Sequence, residues 1–444
     1  MSFPFVCFVL LITLGFLAGE PAGIAAQEAG IPVGPGAPSP SLDSLLLTPS
    51  LDLRLLERAV LARNSTLGAM RASWRAAQAA ADQAAAFEDP MVEVSSAPRT
   101  WSGSSVDPAY MVEISQRVPI FGQRGLKGRA ARASARAIGE DYQSARLDLI
   151  RETRRAYYES YFVMRSQGVN AELKNLLGQL RRVALTKYSS GSAGLEDVLQ
   201  AEMELAMLDQ QEIALARQSR VLQAQLNALL QRDPGSPLSN PPQKITEGGV
   251  PSRVDSLQQL AKELRPELRG WAAQREARKA DLSLARRQRL PDFTFSARYD
   301  RYWEAAEVRP SVGVAFNLPI QLGRLRAAER EARAGVEQAE ARRQESEARV
   351  ASEVESALAE VWESWHEIHI LQDRVVPSAE RVLLAIRASY ENNRLDFPAL
   401  LNAERDVARA RLQLDAARVA NLQALANLDR AVGVAPAEAS QEEK

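Results

Sequence analysis

Cysteine is all but missing. The single thiol, Cys7, lies in an N-terminal apolar run, so the rest of the chain has no means of forming a disulfide or a reactive thiolate. Histidine is nearly as scarce, with only His366 and His369, which leaves few of the usual transition-metal ligands. Charge of one sign is lacking too: 55 basic residues face 56 acidic ones. Without a polybasic field the chain has no footprint for nucleic acid. After the first twenty residues no stretch approaches 18 continuous apolar residues, so no transmembrane helix is expected. A membrane location would have to rest on strands. Neither a P-loop nor a Ser/His/Asp grouping occurs, and Gly122-Gln-Arg-Gly125-Leu-Lys-Gly128 reads as a corner entering a helix. These absences point away from an enzyme and from any cofactor.

What is present is the vocabulary of long helices. Ala, Leu, Glu, Arg and Gln dominate, charged residues make up 25% of the chain and aromatics only 6%. Residues Phe3 to Leu17 form an apolar run too short to span a bilayer comfortably, and small residues follow at Ala22-Gly23-Ile24-Ala25-Ala26. This is the layout of a secretory signal over 1–26. Leu17-Ala18-Gly19-Glu20 has the form of a lipoprotein processing site with glutamate in place of the acylated cysteine, so no lipid anchor is expected there. Residues 27–50, rich in Pro, Gly and Ser, read as a flexible lead-in.

Self-comparison reveals an internal repeat. Pro90 and its strand-like followers return at Pro291, Val118-Pro-Ile120 at Leu318-Pro-Ile320, Tyr188 at Tyr390 and Leu226-Asn227 at Leu428-Asp429, all at offsets of 200 to 202 residues. The first copy covers 51–230 and the second 254–433; a Pro/Gly-dense linker at 231–253 separates them, and 434–444 form a tail. Each copy opens with an Ala-rich helix, Leu51 to Phe87 and Val254 to Arg289. Two alternating segments follow, expected as strands at 91–97 and 110–118, then at 292–300 and 311–318. Alternation with one apolar face fits a membrane-barrel strand, while a hairpin lying on a soluble core would give the same pattern.

A long helical run comes next in each copy, Gly122 to Tyr188 and Gly323 to Tyr390, reaching roughly 100 Å if unbroken. Leu173, Leu176, Leu177, Leu180 and Val183 mark one heptad-like stripe; Val354, Leu358, Val361, Trp365, Ile368, Val375, Val382 and Ile386 mark the other. Pro377 should interrupt the second run. Polar corners at 188–197 and 390–398 are the expected tips of two helical hairpins. Four strands cannot close a barrel around a lumen, and open edges are not tolerated in lipid. Other subunits must complete the sheet, in a number the sequence leaves open.

The pattern resembles the TolC-type outer membrane efflux proteins over nearly all of the mature chain. The resemblance is carried by Gln116-Arg-Val-Pro-Ile-Phe-Gly-Gln-Arg-Gly-Leu126 at the strand-to-helix corner and by two tip segments. These are Lys187-Tyr-Ser-Ser-Gly-Ser-Ala-Gly-Leu-Glu-Asp-Val-Leu-Gln-Ala-Glu202 and Ser389-Tyr-Glu-Asn-Asn-Arg-Leu-Asp-Phe-Pro-Ala-Leu-Leu-Asn-Ala-Glu404. It implies a mainly α fold with a small β part: helical hairpins forming an α-barrel and four strands per chain in a homotrimeric β-barrel. It also implies a passive exit duct in outer-membrane lipid, extending into the periplasm. A periplasmic adaptor and an inner-membrane pump of the resistance-nodulation-division type would supply cargo. The corner segment is similar to members that serve heavy-metal cation pumps, and metal cations and drugs both stay open as cargo.

By the same resemblance the tips dock the adaptor and constrict the entrance, through Gly191, Leu195, Glu196, Asp197 and Val198 in the first copy and Asn393, Leu395, Asp396 and Phe397 in the second. The acidic ring that some members carry after the second tip falls on Ala399 and Asn402, leaving Asp197 and Asp396 as substitutes. Both also suit helix N-termini, where the dipole favours acids. Tyr188 and Tyr390 are read as packing under the corners. Glu363, His366 and His369 share a helical face and form a weak metal candidate, although Trp-His-Glu-Ile-His lacks the HExxH spacing. The rival reading is a periplasmic coiled-coil adaptor or structural spacer without a membrane barrel.

Overall fold

The computed structural model describes residues 50–97, 109–192, 194–246, 248–249, 254–302, 309–392 and 394–434. The expected signal segment, the lead-in to residue 49, Asn393 and the tail from 435 fall outside them.

In the first copy the Ala-rich segment is two helices, α1 (Leu53–Arg63) and α2 (Ser65–Ala85), not one. Asn64 makes the break. Its backbone turns extended, its N–H donates to Val60 O at 2.9 Å, and its Oδ1 accepts from Thr66 N and Leu67 N. One residue thus closes α1 and caps α2. Strands β1 (Met91–Ser96) and β2 (Tyr110–Val118) follow, then α3 (Gln123–Ser189) and the returning α4 (Leu195–Leu229). The second copy runs α5 (Val254–Leu264), α6 (Pro266–Arg287), β3 (Phe293–Asp300), β4 (Pro310–Phe316), α7 (Leu322–Ile370), α8 (Val376–Glu391) and α9 (Phe397–Val432). Here too the expected single helix is broken, at Arg265. The cause is different: Pro266 forces its predecessor out of the helical region and serves as the first residue of α6.

The two breaks are structural equivalents. Asn64 Nδ2 donates to Leu229 O at 3.4 Å, while Arg265 Nη1 donates to Arg430 O at 3.0 Å and Ala431 O at 3.2 Å. Each satisfies last-turn carbonyls of its own returning helix, which would otherwise lack partners.

Strand ends differ from expectation by one or two residues. β4 stops at Phe316 rather than 318 because Pro319 has no N–H for the ladder, and the chain passes through two tight turns, Ile320 N to Leu318 O and Leu322 N to Ile320 O, both 2.9 Å. β3 starts at Phe293, with Asp292 N bonding the Asn317 side chain at 2.6 Å instead. β1 ends at Ser96, although Ala97 N still donates to Ala109 O.

In the second long run, α7 gives way at Leu371–Val375 to one π-helical turn before α8. Pro377 lies at the start of α8, and its missing N–H is accommodated by this widening instead of a break. The 67-residue α3 has no such interruption and reaches roughly 100 Å.

Where the long helices cross the short ones, the interior is ionic. Arg430, its side chain 10% exposed, donates to Asp148 Oδ1 at 2.8 Å, to Ser144 Oγ at 3.0 Å and to Glu267 Oε1 at 2.5 Å. Arg154 joins Glu57 and Asp429, each at 2.6 Å. These pairs tie α1, α3, α6 and α9 at one level. Burial pushes the Glu267 carboxyl up, but Arg430 and Arg265 overcome it and hold the group below its ordinary value. Beside the ions lies an apolar cluster of Val350, Val354, Val361, Leu428 and Val432 with Leu268. The linker packs onto the helices rather than hanging free: Asn227 Nδ2 holds Ser236 O at 2.8 Å and Leu51 N donates to Asn240 O at 2.8 Å.

Replacing Arg430 with Met should cost about 2–4 kcal/mol, because Asp148 and Glu267 lose a shared buried partner. Thermal unfolding of the detergent-purified protein, followed by helical circular dichroism, measures this. The native protein should lose that contribution as pH falls through the depressed Glu267 value, since the carboxylate is more acidic folded than unfolded; the variant should lose most of this pH response.

Candidate functional site

The four strands form one antiparallel sheet in the order β1-β2-β3-β4, so β2 and β3 join the two copies. The register sorts every rung onto one of two faces. Val92, Ile114, Ala297 and Val312 stand in one row, and Val94, Val112 and Tyr299 in another on the same side. Phe295 with Val314, and Val118 with Phe293 and Phe316, continue this side, which is apolar except for Gln116 beside Phe295 near its lower end. Rows between them carry Glu93, Glu113, Arg298 and Ser311, then Met91, Ser115, Ser296 and Gly313, then Arg117 and Thr294. Arg298 Nη2 meets Glu113 Oε2 at 2.5 Å across β2 and β3. Aromatics cluster at both ends of the apolar side, Tyr110 with Tyr299 at one and Phe293 with Phe316 and Phe121 at the other.

An apolar band with aromatic ends, opposite a charged face, is the cross-section of a membrane β-barrel wall. On a soluble protein the apolar face would be covered by a core. Here Val92, Val94, Val312, Val314 and Phe316 are 57–89% exposed. No helix among the described residues is long and apolar enough to cross a membrane.

At the corner below the sheet, Gly122 holds φ +71° as the chain turns into α3; a Cβ there would collide with the Arg287 guanidinium, which donates to Phe121 O at 2.6 Å. Far down the long helices lie the tips. The first closes α3 in a Schellman motif: Gly191 has φ +72°, Ser192 N donates to Lys187 O at 2.8 Å and Gly191 N to Tyr188 O at 3.0 Å. The second repeats the outer bond, Arg394 N to Ser389 O at 2.9 Å.

Beyond the turns the copies diverge. Tyr390 is buried, edge-on to the fully buried Phe397, with Lys187 Nζ 4.3 Å from its ring. Tyr188, which the sequence suggests packs under its corner, is 44% exposed instead. The position that matches Phe397, 202 residues earlier, carries Leu195, which is itself exposed and gives that ring no buried partner to lie on. Leu195 and Leu395 both point into solvent, while Val198 is buried. Asp396 caps α9, accepting from Ala399 N at 3.3 Å, and Glu196 and Asp197 occupy the first turn of α4. Burial, together with Glu196 and Asp396, pushes the Asp197 carboxyl up despite Lys187. Arg405 Nη1 reaches Glu204 at 2.9 Å and links the two hairpins. Sequence reading missed this bond, since neither residue belongs to a tip motif.

The histidines are turned inward along their own helix. The Nδ1 atoms of His366 and His369 lie 2.8 Å from the carbonyls of Trp362 and Trp365, and each ring packs on that tryptophan. No cluster of three metal-ligating side chains occurs among the described residues.

The sequence profile of the outer membrane efflux protein family matches residues 56–231 and again 257–434, once per copy. The chain belongs to that family. Solved outer-membrane channels have the same fold. CusC, whose structures concern folding and transmembrane channel formation, gives a TM-score of 0.74 at 17% identity, covering 86% of this chain and 92% of that one. VceC from Vibrio cholerae gives 0.72 at 19% identity, covering 86% and 96%. The open state of MtrE from Neisseria gonorrhoeae gives 0.70 at 17%, covering 86% and 89%. No curated protein sequence matches significantly. This efflux protein is therefore an outer-membrane duct with a periplasmic extension. The adaptor reading is not favoured, and the proteins it resembles are channels rather than enzymes.

Neighbouring residues on β4 give a direct test of the two faces. Val312→Lys should cost about 2–4 kcal/mol in bilayer and sharply reduce the outer-membrane yield, whereas Ser311→Lys, facing the lumen, should insert normally. Outer-membrane fractionation of the two variants checks this; equal yields would invert the face assignment.

Proposed function

We propose that three copies of the chain close one barrel of twelve strands and continue it as a helical tunnel into the periplasm. Cargo enters at the tips from an inner-membrane pump, of the resistance-nodulation-division type, through a periplasmic adaptor that seats on the tips. The observation that carries this reading is the pair of unpartnered strand edges, β1 and β4, on a sheet whose outer face is apolar. Exposed aliphatics farther down agree: Leu199, Met203 and Met207 on α4 and Val382 and Leu384 on α8 are 50–64% exposed within one chain. Neighbouring copies would cover them.

At the tips, Gly191, Leu195, Glu196, Asp197 and Val198 of the first hairpin and Asn393, Leu395, Asp396 and Phe397 of the second form the docking end. Within this set the exposed Leu195 and Leu395 offer contact, and the buried Val198 and Phe397 hold the corners rigid. Glu196, Asp197 and Asp396 give the entrance negative charge while stabilising the helix starts they occupy.

Gly191→Arg strains the left-handed turn, and Leu195→Arg alters only the exposed contact. Both should bring the export phenotype down to that of the deletion strain, with trimers still visible on unheated gels. Full efflux in Leu195→Arg would overturn docking at the tips.

A further inference from the structure

The first turns of α7 carry an arginine cluster that conduction does not explain. Arg289, Arg326, Arg330 and Arg333 line, with Gly323 and Glu329, a cavity of about 350 Å³. Arg286 and Arg333 each reach Glu329 at 3.2 Å, and Arg289 pairs with it as well. Arg326 and Arg330 are exposed and make no ion pair among the described residues. Three guanidinium groups thus share one carboxylate, and two more line the same cavity with none among the described residues. The next acid along the helix, Glu331, lines the groove on the opposite side of α7. The dipole of this 49-residue helix adds positive potential at the same end.

Above the arginines the surface is aliphatic. Leu318, Ile320 and Leu322 are 68%, 81% and 56% exposed. In sequence Leu318 keeps the even-numbered spacing of Val312, Val314 and Phe316, the apolar side of β4, two residues past the strand's end. Leu322 shares a helix face with Arg326, Glu329, Arg330 and Arg333, at steps of four, seven, eight and eleven residues. Along this one face, exposed hydrocarbon gives way to guanidinium within about 5 Å, one helical turn. Such a profile fits one kind of ligand, an anion joined to acyl chains. Guanidinium forks match phosphate oxygens, and near an anionic leaflet each arginine is worth about a fivefold gain in affinity.

We propose that this cradle holds the headgroup phosphate of an anionic phospholipid from the periplasm-facing leaflet, with the acyl chains lying over Leu318, Ile320 and Leu322. The inference rests on the outer-membrane reading of the sheet and adds a specific lipid site at its periplasmic rim.

The test uses the full-length protein purified in detergent and titrated with dioleoyl phosphatidylglycerol or dioleoyl phosphatidylcholine, bound lipid being counted by native mass spectrometry. The native protein should retain phosphatidylglycerol at least about tenfold more strongly. R326Q/R330Q should lose roughly twentyfold of that retention, and R326K/R330K should keep most of it. Equal retention of both lipids by the native protein, or an unchanged preference in R326Q/R330Q, overturns the site. Complete displacement of phosphatidylglycerol by millimolar inorganic phosphate overturns the lipid assignment in favour of a soluble anion. Fractionation of the same strains separates the two readings: a native protein found in the soluble periplasm sinks the duct, whereas one found in the outer membrane without lipid preference sinks the cradle alone.

Discussion

A strand in hydrocarbon must have both its edges paired, because no water is present to receive an orphaned N–H or C=O. The sheet β1-β2-β3-β4 pairs its strands internally and leaves two edges bare. Much of what is unusual about the chain is consistent with that one deficit. A single protomer holds only a wall segment, whose apolar sheet face and exposed helix aliphatics have no partner within the chain. The internal repeat serves the same geometry. Joining two hairpins through β2 and β3 lets one chain supply four contiguous strands of a barrel wall, and each hairpin feeds directly into a long helical run.

The helical part solves a different problem. Helices near 100 Å long touch neighbours along their length, and a small error in angle at one end becomes a large displacement at the other. The ionic layer around Arg430 and Arg154 fixes that angle where α1, α3, α6 and α9 meet. Buried ion pairs contribute little net stability compared with apolar packing, but they are intolerant of misalignment, which suits a level where register matters more than strength. The π-helical turn before Pro377 gives α7 and α8 a local change of phase that α3 lacks. The two hairpins of one chain are thus chemically distinct although topologically alike.

The sequence made the repeat, the strands and the helical runs readable because each depends on local periodicity or on a proline. Strand ends slipped by one or two residues where Pro319 and the Asp292–Asn317 pair decide the last rung, an effect that alternation does not register. The helix breaks at Asn64 and Arg265 were missed for a related reason. Their chemistry differs, a side-chain cap in one and a proline constraint in the other, so self-comparison by residue type could not align them although they sit 201 residues apart. Tyr188 and Tyr390 mark the reverse failure: identical residues at matching positions have opposite burial because Phe397 faces one and the exposed Leu195 stands in its place at the other.

Net charge misled in a more instructive way. A total of −1 excludes a polybasic surface only if charges are mixed evenly along the molecule, and here they are not. Apart from Glu329, the glutamates of α7 lie on the other side of the helix or farther along it, so arginines outnumber acids in its first turns. That placement has a physical reason independent of any one ligand. The rim of a membrane barrel sits where hydrocarbon ends and phosphate begins, within a few ångströms of chain. Side chains there must be aliphatic on one step and able to meet an anion on the next. Arginine satisfies the second demand while keeping an apolar stem against the first, and no acidic residue can do so. A duct through the membrane needs its vertical position fixed, and on the lipid-cradle proposal the boundary between Leu322 and Arg326 is where this chain does it.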